Sequence, residues 1–384
     1  MRKNNQLMKV VSFLFFLATK QIINIKEAKK LTTFSKFKTA LAALSLSVLS
    51  SAASAQIAGH NVLLVHGFQF GDLSSKPSDA EVYNRNLISD FWLNRAEGKL
   101  NWSSAERVEG KISQQIFEQA KTYSEQGTCT NGCVIVLHST GDQVVRHFLA
   151  NQEEWLSNAG YEPLNIVATL DFAGAGGGTD FADLAVGVVA NNNVPQAIKS
   201  TIGLFLGLDL SASNYDDLGV VQDLTYSGAR NISTAPNDIP RLRFSASGGN
   251  TNPLKLLLSG YSDGVVPASS SCGASSPAAI DSCSKSVGYS GQRKSKNGPS
   301  GLFHNHFPVL MSKHYDHGGI KEDNHRGTVT YVQNDFNAGV NVGFDTYTNK
   351  VPWWQFWRDT GTIQLVSGSD NQSMSALVYS TLNN

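Results

Sequence analysis

Apolar residues are distributed along this chain in two ways: short dense runs, and longer stretches in which they recur at helical spacing. Residues 61–65 (NVLLV), 133–137 (CVIVL) and 166–170 (IVATL) are five-residue runs rich in Val, Ile and Leu and bounded by polar or Gly-containing turns. Such runs predict buried strands of a mostly parallel sheet, with helices in the intervals between them. Residues 181–189 and 198–206 read as amphipathic to apolar helices on either side of Asn191, Asn192 and Asn193. Residues 328–332 (TVTYV) alternate as a strand does, and the Ser- and Asn-rich end of the chain also reads as β-type alternation. The pattern predicts an α/β fold: one domain over residues 56–330, a helical insertion at about 179–225, and a β-rich extension over 331–384. No internal repeat is present.

The first 55 residues fall outside that fold. Lys36 and Lys38 precede a run of small and apolar residues, Thr39 to Leu49, which ends in Ala53-Ser54-Ala55. This is the layout of a secretory signal with cleavage after Ala55, too short in its apolar part for a stable membrane anchor. It predicts a secreted or periplasmic product. An earlier apolar patch, Val10 to Ala18, points to a true start further along the chain or to a long basic leader. The whole chain balances 31 basic against 31 acidic side chains. Residues 1–55 hold nine of the former and only Glu27 of the latter, so the remainder has 22 against 30, a formal net charge of −8. An acidic product of this kind is a poor nucleic-acid binder.

Candidate chemistry begins where the 133–137 run ends. His138-Ser139-Thr140-Gly141 joins a predicted strand to a predicted helix, the setting of a nucleophile elbow. A small residue and a glycine after the serine permit the strained bend. The Thr140 N–H would then point at the oxygen of a carbonyl attacked by Ser139. Leu137 stands where the G-x-S-x-G pattern has its first glycine. Upstream, the 61–65 run ends in His66-Gly67, which places the Phe68 N–H as a second oxyanion donor; His66 reads as a support of that loop.

A serine hydroxyl needs a base, and the base an acid to orient it. Asp263, in Ser262-Asp263-Gly264-Val265-Val266-Pro267, sits in a turn after an apolar run and is the favoured acid; Asp171, at the end of the 166–170 run, is the alternative. Five histidines fall between 304 and 325: His304, His306, His314, His317 and His325. His317 is favoured as base because Gly318 and Gly319 suit a loop able to swing an imidazole over the serine, and His306 is second. No Cys or carboxylate spacing completes a metal site around this cluster, and no cofactor is expected.

These motifs together resemble those of the secreted bacterial triacylglycerol lipases of the α/β-hydrolase superfamily, over roughly residues 58–330. The resemblance implies an α/β-hydrolase fold and a triad of Ser139, Asp263 and His317, with Phe68 as the first oxyanion donor. It departs from the family at Leu137. It departs again at the Gly-rich residues 173–179, where a Gly-x-Pro-His-type turn is usual, and this predicts a wider loop beside the site. Gly318 and Gly319 occupy the region of the family's calcium-binding aspartate, so a need for calcium is not supported. The insertion at 179–225 lies where such lipases carry a lid; ordinary packing helices are the plainer reading.

Four cysteines in an exported chain predict two short-range disulfides, Cys129 with Cys133 and Cys272 with Cys283. Three tryptophans, Trp353, Trp354 and Trp357, would suit a lipid or polymer surface if exposed and would anchor the extension if buried. The expected activity is that of a lipase acting on medium or long acyl esters at a lipid–water interface. Esterase, polyester depolymerase, phospholipase and acyltransferase are the alternatives within the enzyme class, and a catalytically inactive surface-binding protein is the alternative outside it.

Overall fold

Strands β1 (Asn61–Val65), β2 (Gly98–Lys99), β3 (Cys133–His138), β4 (Ile166–Phe172), β5 (Arg241–Ala246) and β6 (His306–Ser312) pair in the order β2-β1-β3-β4-β5-β6, all parallel. They belong to a computed structural model that describes residues 56–191, 194–232, 238–249, 257–272, 306–332, 342–350, 352–354 and 362–384. The predicted signal at residues 1–55, with Cys283, His304 and Trp357, lies outside the described residues.

The dense apolar runs follow from a sheet covered on both faces. Side chains alternate along each strand. Leu63, Val65, Ile135 and Leu137 pack in one cluster with helices α1 (Ser113–Glu125) and α2 (Gly141–Asn158), through residues such as Ile116, Val144 and Phe148. Val62, Leu64, Val134, Val136, Phe172 and Phe244 form the other cluster, with Trp92. Each fully buried aliphatic side chain contributes about 1.5–3 kcal/mol relative to exposure, so neither face tolerates a polar run. Helices are numbered here from nine residues upward; α3 (Asp180–Ala190) and α4 (Gln196–Leu206) make up the predicted insertion between β4 and β5.

Beyond β6 the sheet continues antiparallel through β7 (Thr330–Val332), β9 (Thr362–Val366) and β8 (Thr346–Lys350). The chain then ends in helix α5 (Met374–Leu382), where β-type alternation was expected. The helical signals are local. The Ser373 side chain accepts from the Ala376 N–H at 3.1 Å, and Met374, Leu377 and Val378 recur at helical spacing. The last two pack into the cluster around Trp92, whose Nε1–H donates to Ser375 at 2.9 Å.

The chain leaves β1 for β2 on one side and continues through β3 on the other. The crevice at the carboxyl ends of β1 and β3 is therefore the switch point of the sheet, where open α/β sheets bind ligands. His66-Gly67 follows one of these strands and Ser139 the other.

Candidate active site

Ser139 occupies the single-residue bend between β3 and the α2 N-cap, Thr140, with a backbone φ of 57°. Few residues with a side chain adopt this left-handed conformation, and its strain holds the hydroxyl clear of the sheet edge. Glycine is needed at 141 because a Cβ there would stand 2.9 Å from the His66 carbonyl oxygen. At 137 it is not needed. Leu137 is fully buried, opposite Val65 and Asp171, and joins the apolar cluster on the α1/α2 face.

His317 lies in the turn after β6, and its Nε2 is 2.9 Å from Ser139 Oγ. Its Nδ1 is 2.7 Å from Asp263 Oδ2. With the Nδ1 proton donated to the carboxylate, Nε2 presents its lone pair to the serine O–H. The other carboxylate oxygen of Asp263 accepts from the backbone N–H groups of Val265 and Val266 at 2.9 and 2.7 Å. The His317 loop is tied to its neighbours by two hydrogen bonds from backbone N–H groups. The His317 N–H donates to the Asp263 carbonyl at 3.0 Å, and the Gly319 N–H to the Asp316 side chain at 2.7 Å.

The two runner-up residues lie elsewhere. His306 begins β6 opposite Arg241, which pairs with Thr169 and through it with Ile135; that level of the sheet lies four residues, or about 13 Å along the strands, before Ser139. Asp171 is fully buried, with Arg243 Nη1 at 2.7 Å, and does not line the cavity beside Ser139.

Thr140 N–H stands at the N-terminus of the 18-residue α2, where the helix dipole favours negative charge. Among the described residues neither it nor the Phe68 N–H is bonded to a protein acceptor. The 67–68 peptide is trans, as are all those described. Its Gly67 carbonyl accepts from His66 Nδ1 at 2.7 Å and Gln69 Nε2 at 2.9 Å, which turns the Phe68 N–H the opposite way. A Cβ on Gly67 would lie only 2.7 Å from that of Ser139, so this loop abuts the elbow. His66 is itself fixed: burial lowers its pKa to about 4, its ring stacks on Trp102 at 4.9 Å, and its Nε2 accepts from the Trp102 N–H at 3.2 Å.

Beneath the elbow lies a group of buried charges that the sequence reading missed. Asp142, one residue beyond Gly141, bridges Arg241 and Arg243, with Arg243 Nη1 at 2.8 Å. Burial would raise its pKa, but Arg241, Arg243 and Arg146 outweigh burial and hold it well below the usual carboxylate range. Asp171 is pushed well above that range, by burial first and by the Asp142 carboxylate second. The two carboxyl groups are thus driven in opposite directions beside the same arginines. Two glycines of the loop after β4 are required by this pair: a Cβ at Gly174 would strike Asp171, and one at Gly176 would strike Asp142. The loop also clamps the elbow, through the Ala175 N–H to the Ser139 carbonyl at 2.9 Å. The signal in the sequence was Asp142 with arginines at alternate positions 241 and 243.

A cavity of about 430 Å³ opens beside Ser139 and His317. Phe181 and Ala182 of α3, Phe205 and Leu206 of α4, and Val221, Leu224 and Val265 give it an apolar wall. Phe205 packs against Phe181 at 4.7 Å and against the half-exposed Phe70 at 5.1 Å. The predicted insertion therefore forms part of the wall. Among the described residues no group of three or more His, Cys, Asp or Glu side chains is arranged to hold a metal, and no helix is long and apolar enough to cross a membrane. Cys129 and Cys133 form a disulfide; Cys272 is also disulfide-bonded, its expected partner Cys283 lying outside the described residues.

No family model matches the chain. No curated relative matches it either. Among solved structures, the Staphylococcus hyicus lipase aligns over 68% of this chain and 88% of its own at 16% identity, with a TM-score of 0.37. Lipase 1 from Pelosinus fermentans aligns over 68% and 92% at 15% identity and a TM-score of 0.36. A Bacillus licheniformis lipase in mature form aligns over 55% and 78% at 13% identity and a TM-score of 0.34. These likenesses are too distant to carry an argument about activity. The strand order, the left-handed serine at the end of β3 and the helices on both faces make the chain an α/β-hydrolase fold.

Proposed function

We propose that this protein is a serine hydrolase of carboxylic esters, and that its substrates are esters with medium or long acyl chains. The observation that carries the reading is the unbroken relay from Ser139 Oγ through His317 to Asp263, at 2.9 and 2.7 Å, on the floor of an apolar cavity of about 430 Å³. Ser139 Oγ attacks the carbonyl carbon while its proton passes to His317 Nε2, and Asp263 stabilises the imidazolium. The carbonyl oxygen takes up the negative charge between the N–H groups of Phe68 and Thr140. As the tetrahedral intermediate collapses, the alcohol leaves with the proton from His317; water then repeats the sequence on the acyl-serine. The cavity walls favour an acyl chain, and α3 and α4 would act as a cap over it. Residues 1–55 support export of the protein, with the signal removed near Ala55.

Hydrolysis of p-nitrophenyl esters from acetate to palmitate, by the chain starting at Gln56 and by Ser139→Ala, tests this. Turnover is expected to vanish in the variant, with an optimum beyond the shortest acyl groups. Turnover retained in Ser139→Ala would remove Ser139 from its role. A second reading is favoured by Trp353 and Trp354, which are 86% and 53% exposed: an inactive protein that adheres to a lipid or polymer surface. It would be preferred if no ester is hydrolysed and a fluorophosphonate probe leaves Ser139 unlabelled.

A further inference from the structure

We infer that His138 is a positioning residue for His317, holding the main chain of the base from inside the elbow. The inference rests on the hydrolase reading above. His138 immediately precedes Ser139 and is buried. Its Nε2 lies 2.8 Å from the His317 carbonyl oxygen; a carbonyl only accepts, so the proton of His138 is on Nε2. The two imidazoles are tilted against each other, their centroids 4.6 Å apart and their planes at 46°.

Together these contacts account for every polar atom of His317. Its N–H is held by the Asp263 carbonyl and its Nδ1 by the Asp263 carboxylate. Its Nε2 meets the nucleophile, and its carbonyl is held by the residue adjoining the nucleophile. Asp263 alone leaves the loop tethered to the acid. His138 ties it to the strand that carries the serine, so base and nucleophile share an anchor at the end of β3. A misplacement of about 1 Å between reacting groups costs on the order of a hundredfold in rate.

The chemistry also needs the tether to be neutral. When His317 takes the serine proton it becomes a cation 4.6 Å from His138, and a second cation there would oppose the transfer. Burial, and then the neighbouring His317, push the pKa of His138 well below the usual histidine range, so it donates without carrying charge.

The test compares His138→Leu with His138→Gln in the chain from Gln56, on p-nitrophenyl butyrate, beside Ser139→Ala. Leu fills space without a donor; the Gln amide can place an N–H near the position of Nε2. His138→Leu is expected to lower kcat by about ten- to a hundredfold with KM changed less than about twofold, and His138→Gln to recover most of the loss. Should His138→Leu fail to fold by circular dichroism, His138→Met replaces it as the donor-free variant. The inference is overturned if the donor-free variant keeps kcat within about twofold, or if His138→Gln loses as much as it does. Failure of the hydrolase reading is separate, because it would appear as turnover surviving in Ser139→Ala or as no turnover in the unsubstituted chain from Gln56.

Discussion

The two sides of the elbow treat charge in opposite ways. Above it, Asp263 has both oxygens engaged, one by His317 and one by two backbone N–H groups. Below it, Asp142 and Asp171 are sealed among Arg146, Arg241 and Arg243, all nearly inaccessible to solvent. Both sides hold an aspartate that follows an apolar run, and in the sequence they look alike. One meets an imidazole beside a cavity; the other meets an arginine that water does not reach. Burial does not mark the acid that works with the histidine, since Asp171 is as buried as Asp263. What separates the two aspartates is the partner: an imidazole for Asp263, a guanidinium for Asp171.

Exchanging the two acids is the strongest way to break this contrast. Asp263→Asn should lower kcat by about a thousand- to ten-thousandfold, because His317 would be held in the wrong tautomer. Asp171→Asn, a near-isostere at a position that does not line the cavity, should leave kcat within about threefold. Steady-state kinetics on one ester decides it, and equal losses would erase the distinction. Next comes stability. Asp142→Asn strands two buried arginines and should cost about 3–5 kcal/mol in urea unfolding; a cost below about 1 kcal/mol would mean that the network does not hold the elbow.

The pH dependence has a definite sign. His66 is neutral in the folded protein down to about pH 4 but takes a proton near 6.5 when unfolded. Its contribution is therefore present above pH 6.5 and is lost as pH falls from 6.5 to 4, amounting to about 3 kcal/mol. Urea midpoints measured across that window should be flatter in His66→Gln by roughly this amount. The smallest effect concerns the oxyanion loop. Gln69→Leu removes one of two donors on the Gly67 carbonyl and should lower kcat by about fivefold to tenfold with KM unchanged. A change confined to KM would place Gln69 in substrate binding instead.

Several features were legible because they are local. The strands at 61–65, 133–138 and 166–172 declared themselves by short, unbroken apolar runs between turns. The turn at Ser139 declared itself by a small residue and a glycine before a long helical stretch. Asp263 and His317 were chosen for their turns, and the structure brings both to Ser139. The two glycines after His317 lie in a turn that the Asp316 side chain bridges. The final helix was missed because its Ser-rich composition masked an N-cap serine and a short apolar face.

What the chain dictated by itself is the inventory: which segments must be buried, where the backbone must bend, and which nucleophile, acid and base types follow strands. Those depend on propensity and periodicity, which act within a few residues. Only the tertiary structure decided the pairings. The sequence favoured Asp263 and kept Asp171 as the alternative; strand order and register set Asp171 over the arginines of β5 and Asp263 beside the turn after β6. The same holds for His138, whose partner lies 179 positions away. Its hydrogen bond exists because two strands end at one edge of the sheet, a fact of packing over long range that no local pattern encodes.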